Sequence, residues 1–214
     1  LEVRRGDRSV PASLYRPTGA DGPLPGWVVL HGITRPGRMH PVLQRMVRAL
    51  ARSGATVLVP EVPEWRELYL APEQAQDTAS AGIRTLVRHE GVAPGGVGVL
   101  GFSFGVPRAL QAAADPALAG KVRAAVGFGG YADLERTLRF QFTGEHEWEG
   151  RSYRGEPDPY GRWVVGGNFL PSLPGLAETT DVAGAQLRLA RDAGDAQVGA
   201  WEARFDAVKA DLEK

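Results

Sequence analysis

The sequence runs to 214 residues, 43% of them hydrophobic, and 25 Lys+Arg balance 25 Asp+Glu to a formal net charge of zero. That length suits one soluble domain with a substantial core, and balanced charge with no basic stripe excludes a nucleic-acid footprint. No uninterrupted apolar run is long enough to span a bilayer, the opening residues do not read as a secretory signal, and the absence of cysteine excludes disulfides and thiolate-metal sites. A cytoplasmic enzyme is the default expectation.

Leu1 to Tyr15 reads as two short strands around Gly6-Asp7, with alternation at Val10, Ala12 and Leu14 that suggests an edge hairpin. After a Pro/Gly loop from Pro17 to Gly26, Trp27-Val28-Val29-Leu30 is a continuous apolar strand of the kind buried on both faces in a parallel sheet. It exits into His31-Gly32-Ile33-Thr34-Arg35-Pro36-Gly37. Val42, Leu43, Met46, Val47 and Leu50 then stripe a helix that Gly54 ends, and Thr56 to Val59 is a second buried strand. Its exit, Pro60-Glu61-Val62-Pro63, leads to Trp65 and Tyr69 on a loop at the carboxyl end of a strand, where α/β sheets place ligands. These aromatics either line a substrate pocket or pack under the loop. A helix is predicted from Gln74 to Glu90 through Ala75, Ala79, Ile83, Leu86 and Val87.

The most informative stretch is Val97 to Ala114: an apolar run, then Gly101-Phe102-Ser103-Phe104-Gly105, then a helical pattern continued by Leu110, Ala113 and Ala114. A serine on such a strand-turn-helix stands clear of the sheet on a strained turn, and glycines on either side let strand and helix pass closely. The helix N-terminus directs partial positive charge at Ser103, favouring the negative oxygen of an acyl-transfer intermediate. Val122 to Phe128 is one more short strand, ending in Gly129-Gly130-Tyr131-Ala132-Asp133. The alternation from Trp27 to Phe128 predicts a doubly wound, mostly parallel sheet.

On these motifs the chain resembles the α/β-hydrolase fold family, and within it the dienelactone-hydrolase-like and esterase-like branch. The resemblance implies that Ser103 is the nucleophile and that the backbone N–H groups of Phe104 and, after the His-Gly pair, Ile33 form the oxyanion hole. For the His31 side chain, bracing of neighbouring backbone is preferred to a role as base, and His31 and Trp65 are the candidates for substrate contact. Asp133 is a candidate triad acid, set against the alternative of an N-cap for the helix opening at Leu134.

From Phe140 the pattern changes. Glu145 to Asn168 is rich in glycine, charge and aromatics, and two helices are predicted, Val182 to Arg191 and Ala196 to Glu213, capped by Asp181 and Asp195. Val198, Trp201, Phe205, Val208 and Leu212 would form one stripe on the last. This block resembles the cap some α/β hydrolases insert after the sixth strand, so residues 1–133 are assigned to the core and 134–214 to a cap or lid. No strand-like run follows Phe128 except Trp163-Val164-Val165, and the chain opens on Leu1. The expectation is a fold whose last core strands are absent, in a trimmed or fragmentary version of a longer product.

The triad histidine normally follows the acid in this family, yet the only histidine beyond Ser103 is His146, which reads as a solvated loop residue between two glutamates; His40 and His89 are weaker candidates. The expected function is a serine hydrolase of carboxylic esters or related acyl compounds whose base lies on a C-terminal segment outside this sequence. A catalytically incomplete binding module and an acyltransferase or thioesterase on the same fold are the alternatives. No cofactor and no metal are expected, and the expected partner is a small-molecule ester or acyl substrate, with a homodimer as an allowed assembly.

Overall fold

The computed structural model describes residues 1–212, without the side chains of 201, 202 and 204–212. The chain forms two compact units, Leu1–Glu67 with Ala71–Gly130, and Leu68–Leu70 with Tyr131–Lys214.

The first unit is a six-stranded sheet flanked by helices. Its strands are β1 (Glu2–Arg5), β2 (Arg8–Tyr15), β3 (Gly26–Leu30), β4 (Thr56–Pro60), β5 (Val97–Phe102) and β6 (Val122–Phe128), in the spatial order β1-β2-β4-β3-β5-β6. The β1-β2 hairpin and the β2-β4 pair are antiparallel; β4, β3, β5 and β6 are mutually parallel. The helices are α1 (Pro41–Arg52), the single turn α2 (Pro63–Arg66), α3 (Pro72–Val87) and α4 (Gly105–Ala114).

β3 is apolar throughout because both of its faces are covered. Val28 and Leu30 join Leu58, Val99, Ile83, Leu86, Ala109 and Ala112 in one cluster, which α3 and α4 close. Val29 faces the other way, with Val57, Val59, Leu43 and Val47, under α1. Backbone polar groups in such strands are satisfied by the parallel ladders, so the run can be wholly hydrophobic at no polar cost. β6 ends the sheet, pairing only with β5 among the described residues, and Phe128 on it is 69% exposed.

Helix α4 corrects one expectation. It buries Gly105, Val106, Pro107, Ala109 and Ala112, whereas Leu110, Ala113 and Ala114 are exposed. In a helix this rich in alanine both faces look apolar, so composition could not choose between them.

The second unit contains α5 (Leu134–Thr143), an antiparallel hairpin of β7 (Glu145–Trp148) and β8 (Arg151–Arg154), α6 (Pro159–Phe169) and α7 (Thr180–Leu212). Residues 68–70 belong to it through Asn168, whose Nδ2 donates to the carbonyls of Leu68 (2.9 Å) and Val164 (2.7 Å) and whose Oδ1 accepts from Leu70 N–H (3.1 Å).

Two expectations fail here. Trp163-Val164-Val165 is helical: Asp158 caps α6 by accepting from Tyr160 N–H at 2.8 Å, and Pro159 supplies the fixed φ of a first turn. The two C-terminal helices are one, so Asp181 lies in the first turn of α7 while Asp195 lies inside it and caps nothing. Gly194, which would mark a break, sits under the ring of Tyr160, where a Cβ would come within 3.1 Å of Cε2, so its smallness serves packing. The stripe expected on Trp201, Phe205, Val208 and Leu212 falls on side chains outside the described residues. No helix among the described residues is long and apolar enough to cross a membrane.

Candidate active site

Ser103 occupies the turn between β5 and α4. Its φ is +49°, in the left-handed region that side chains other than glycine enter at a cost, and its side chain is exposed. The turn is held by its own backbone: Ser103 N–H donates to the Phe128 carbonyl of β6 (3.0 Å), and the Ser103 carbonyl accepts from Val106 N–H (3.0 Å).

The flanking glycines are required by close approach. A Cβ on Gly101 would collide with the Gly105 carbonyl, and one on Gly105 would lie 2.8 Å from the Leu30 carbonyl oxygen and 2.9 Å from that of His31. The loop after β3 comes just as close, since a Cβ on Gly32 would sit 3.3 Å from Ser103 Cβ. Two loops thus meet at the serine, one carrying Phe104 at the N-terminus of α4 and the other carrying Ile33 directly after Gly32.

His31 is 1% exposed, and both ring nitrogens are engaged. Nδ1 lies 2.7 Å from the Gly32 carbonyl, which can only accept, so Nδ1 carries a proton. Nε2 lies 3.0 Å from Glu61 Oε1 and 3.1 Å from Val62 N. In the neutral ring it accepts from Val62 N–H; in the imidazolium it donates to the carboxylate. Trp65 on α2 meets the ring edge-on, with centroids 5.3 Å apart and planes at 88°, and is itself 1% exposed. His31 and Trp65 were expected to touch substrate. Both side chains are instead packed inside, and they brace the loops from within.

Sequence reasoning missed Glu61, noted only as part of a strand exit. It is 4% exposed, accepts from Arg38 N–H at 3.3 Å and lies 3.5 Å from Arg38 Nε. Burial alone would raise its pKa, but the hydrogen bond and charge of His31, reinforced by Arg38, outweigh burial and hold the carboxyl below the ordinary glutamate range. Its burial is not written in the sequence, where Pro60-Glu61-Val62-Pro63 reads only as a strand exit.

Asp133 caps α5, its Oδ1 accepting from Arg136 N–H at 3.0 Å, as the capping alternative expected. His146 lies on β7, stacked on Tyr153 at 5.0 Å and 15°. His40 precedes α1, and His89 accepts from Gly91 N–H at 3.0 Å. Among the described residues no group of three or more His, Cys, Asp or Glu is arranged to hold a metal ion.

No protein-family model and no curated protein matches this sequence. Solved structures do share its fold. A dienelactone hydrolase-like promiscuous phosphotriesterase from metagenomic libraries superposes with a TM-score of 0.51 at 22% identity, over 60% of this chain and 57% of that one. A dienelactone hydrolase from Anabaena variabilis gives 0.51 at 23% identity, over 64% and 65%. The ferulic-acid-bound Est1E of Butyrivibrio proteoclasticus gives 0.52 at 14%, over 77% and 69%. The fold is that of the α/β hydrolases, and this chain spans less than two thirds of the length of the first two.

Proposed function

We propose that the chain is a serine hydrolase of carboxylic esters or related acyl compounds, with Ser103 as the nucleophile. The observation that carries the reading is the exposed Ser103 at φ +49° on a strand-to-helix turn, with the Gly32 loop against it. Strain of this kind persists where the surroundings over-determine it and a function uses it. Ser103 Oγ attacks the ester carbonyl carbon as a general base takes the hydroxyl proton. The carbonyl oxygen becomes an oxyanion received by the N–H groups of Phe104 and Ile33, the alcohol leaves with a proton, and water then hydrolyses the acyl-enzyme. The N-terminus of α4 adds favourable partial charge at Phe104.

A second reading, a hydrolase-fold binding module without a working triad, is favoured by one observation: Asp133, the candidate triad acid, caps α5 through its Oδ1. Labelling with a fluorophosphonate separates the two. The hydrolase reading expects the wild-type chain to label, Ser103→Ala to lose labelling by at least the order of 10²-fold, and His146→Ala to keep it. Failure of the folded wild type to label would favour the binding module, or a hydrolase whose base comes from a C-terminal segment outside this sequence. Loss on His146→Ala would make that residue the base.

A further inference from the structure

We infer that Glu61 is a positioning residue for the Ser103 site, acting through His31 and Arg38 on the loop between β3 and α1. Its catalytic consequence rests on the hydrolase reading; the positioning itself rests on geometry.

The peptide that joins Gly32 to Ile33 carries both relevant groups. Its carbonyl, on Gly32, accepts from His31 Nδ1–H at 2.7 Å. A trans peptide is planar, with C=O and N–H pointing in opposite directions; no cis bond occurs among the described residues. Fixing the Gly32 oxygen on the imidazole therefore fixes the direction of Ile33 N–H, and Gly32 lies in contact with Ser103. As the imidazolium, the ring is in turn held by Glu61 Oε1, 3.0 Å from Nε2, and it meets the edge of Trp65.

Glu61 also holds the far end of the same loop. Its Oε1 accepts from Arg38 N–H, its Oε2 faces Arg38 Nε, and the Gly37 backbone, at φ +54°, passes so near the carboxylate that a Cβ there would collide with Oε1. Arg38 is tied onward to Ser13 Oγ at 3.0 Å, and its carbonyl accepts from Gln44 Nε2 at 2.6 Å. One buried carboxylate thus pins both ends of the loop that carries Ile33. The charge matters as well as the shape, because only a carboxylate accepts from backbone N–H and pairs with a cation on either side.

The test compares wild type with Glu61→Gln, which keeps shape and loses charge, and Glu61→Asp, which keeps charge and withdraws it by one methylene. Three quantities are read: the maximal rate and half-saturation of fluorophosphonate inactivation, the amide resonances of Gly32 and Ile33, and Tm. Small misplacements of transition-state donors are costly, so Glu61→Gln is expected to lower the maximal rate about 10-fold or more, leave half-saturation essentially unchanged and shift both amides. Glu61→Asp should restore part of the rate. A lowered Tm with unchanged rate and amides would mean a merely structural role and would overturn the inference. If the wild type does not label, this chain is inert alone and the amides decide: shifted signals in folded Glu61→Gln support the positioning, unshifted ones sink it. Should Glu61→Gln not fold, Glu61→Asp is read in the same way against wild type.

Discussion

Strands β3 and β4 of the first unit bury every residue except Trp27, which is half-buried, whereas in the second unit α5 buries none and every residue of the β7-β8 hairpin is exposed. Hydrogen-bonded strands covered on two faces cannot open without exposing apolar surface and breaking several ladders together. A hairpin of four-residue strands has little to lose. The second unit is joined chiefly where α6 meets α7, with Gly167 against the Ala183 carbonyl and Leu187. The comparison teaches where a precise site can be built: the strained serine is in the unit whose packing can hold it.

The largest expected effect comes from adding the same methyl group to each unit. In Gly101→Ala the new Cβ meets the Gly105 carbonyl and lies 2.6 Å from Val106 N, and both are backbone atoms of the turn. Either β5 or α4 must move, at a cost of about 3 kcal/mol or more, and labelling of Ser103 should fall with it. In Gly194→Ala the nearest atom is at the end of the Tyr160 ring, 3.1 Å away, which can give by a few tenths of an ångström. The gain in helix propensity is up to about 1 kcal/mol, so the net change should stay within about 1 kcal/mol of zero. Urea midpoints measure both, and equal losses would show that the two units are packed alike.

The same contrast explains what could be read in advance. In the first unit the continuous runs at Trp27–Leu30 and Thr56–Val59, and the glycines around Ser103, have one physical solution each, so sheet, helices and turn were legible. The buried face of α4 was not, because alanine on both sides gives no contrast. In the second unit Trp163-Val164-Val165 is as compatible with a helix as with a strand until Asp158 and Pro159 are seen to start one. Asp195 carries a cap signal that a continuous helix ignores. Glu61 was invisible for another reason: its partners His31 and Arg38 lie far back along the chain, and no local pattern encodes a charge satisfied across a fold.

Acid should reach the first unit through two carboxylates. Besides Glu61, the Glu64 carboxyl is held below the ordinary glutamate range: burial would raise it, but hydrogen bonds with Arg5, at 2.7 and 3.0 Å, prevail. A folded pKa below the unfolded one contributes stability that is present above the unfolded value and lost as pH falls through the folded value. The urea midpoint should therefore decline from about pH 5 downward. Glu64→Gln should cost about 1 kcal/mol or less at neutral pH, in keeping with a partly exposed pair, and should flatten the acid decline. An unchanged acid limb in Glu64→Gln would place the loss in other groups.

The smallest effect sharpens the comparison from the other side, because among the described residues the second unit has one place where packing is tight enough to move a pKa. Tyr160, on α6 beside Gly194, has its phenol pushed up to about 12, first by burial and then by the negative charges of Asp195 and Asp158. All three causes disfavour the phenolate. Here the folded pKa lies above the unfolded one of about 10, so the linked stability is complete below that pH and is lost as pH rises towards the folded value. The phenolate absorbance of Tyr160, taken as the difference between wild type and Tyr160→Phe, should appear only near the upper end of that range. Asp195→Asn should bring it down by less than unfolding does, since burial is the larger cause. A Tyr160 that titrates with the ordinary phenols would mean that α6 and α7 separate before it ionises, and that the contact at Gly194 is as loose as the hairpin.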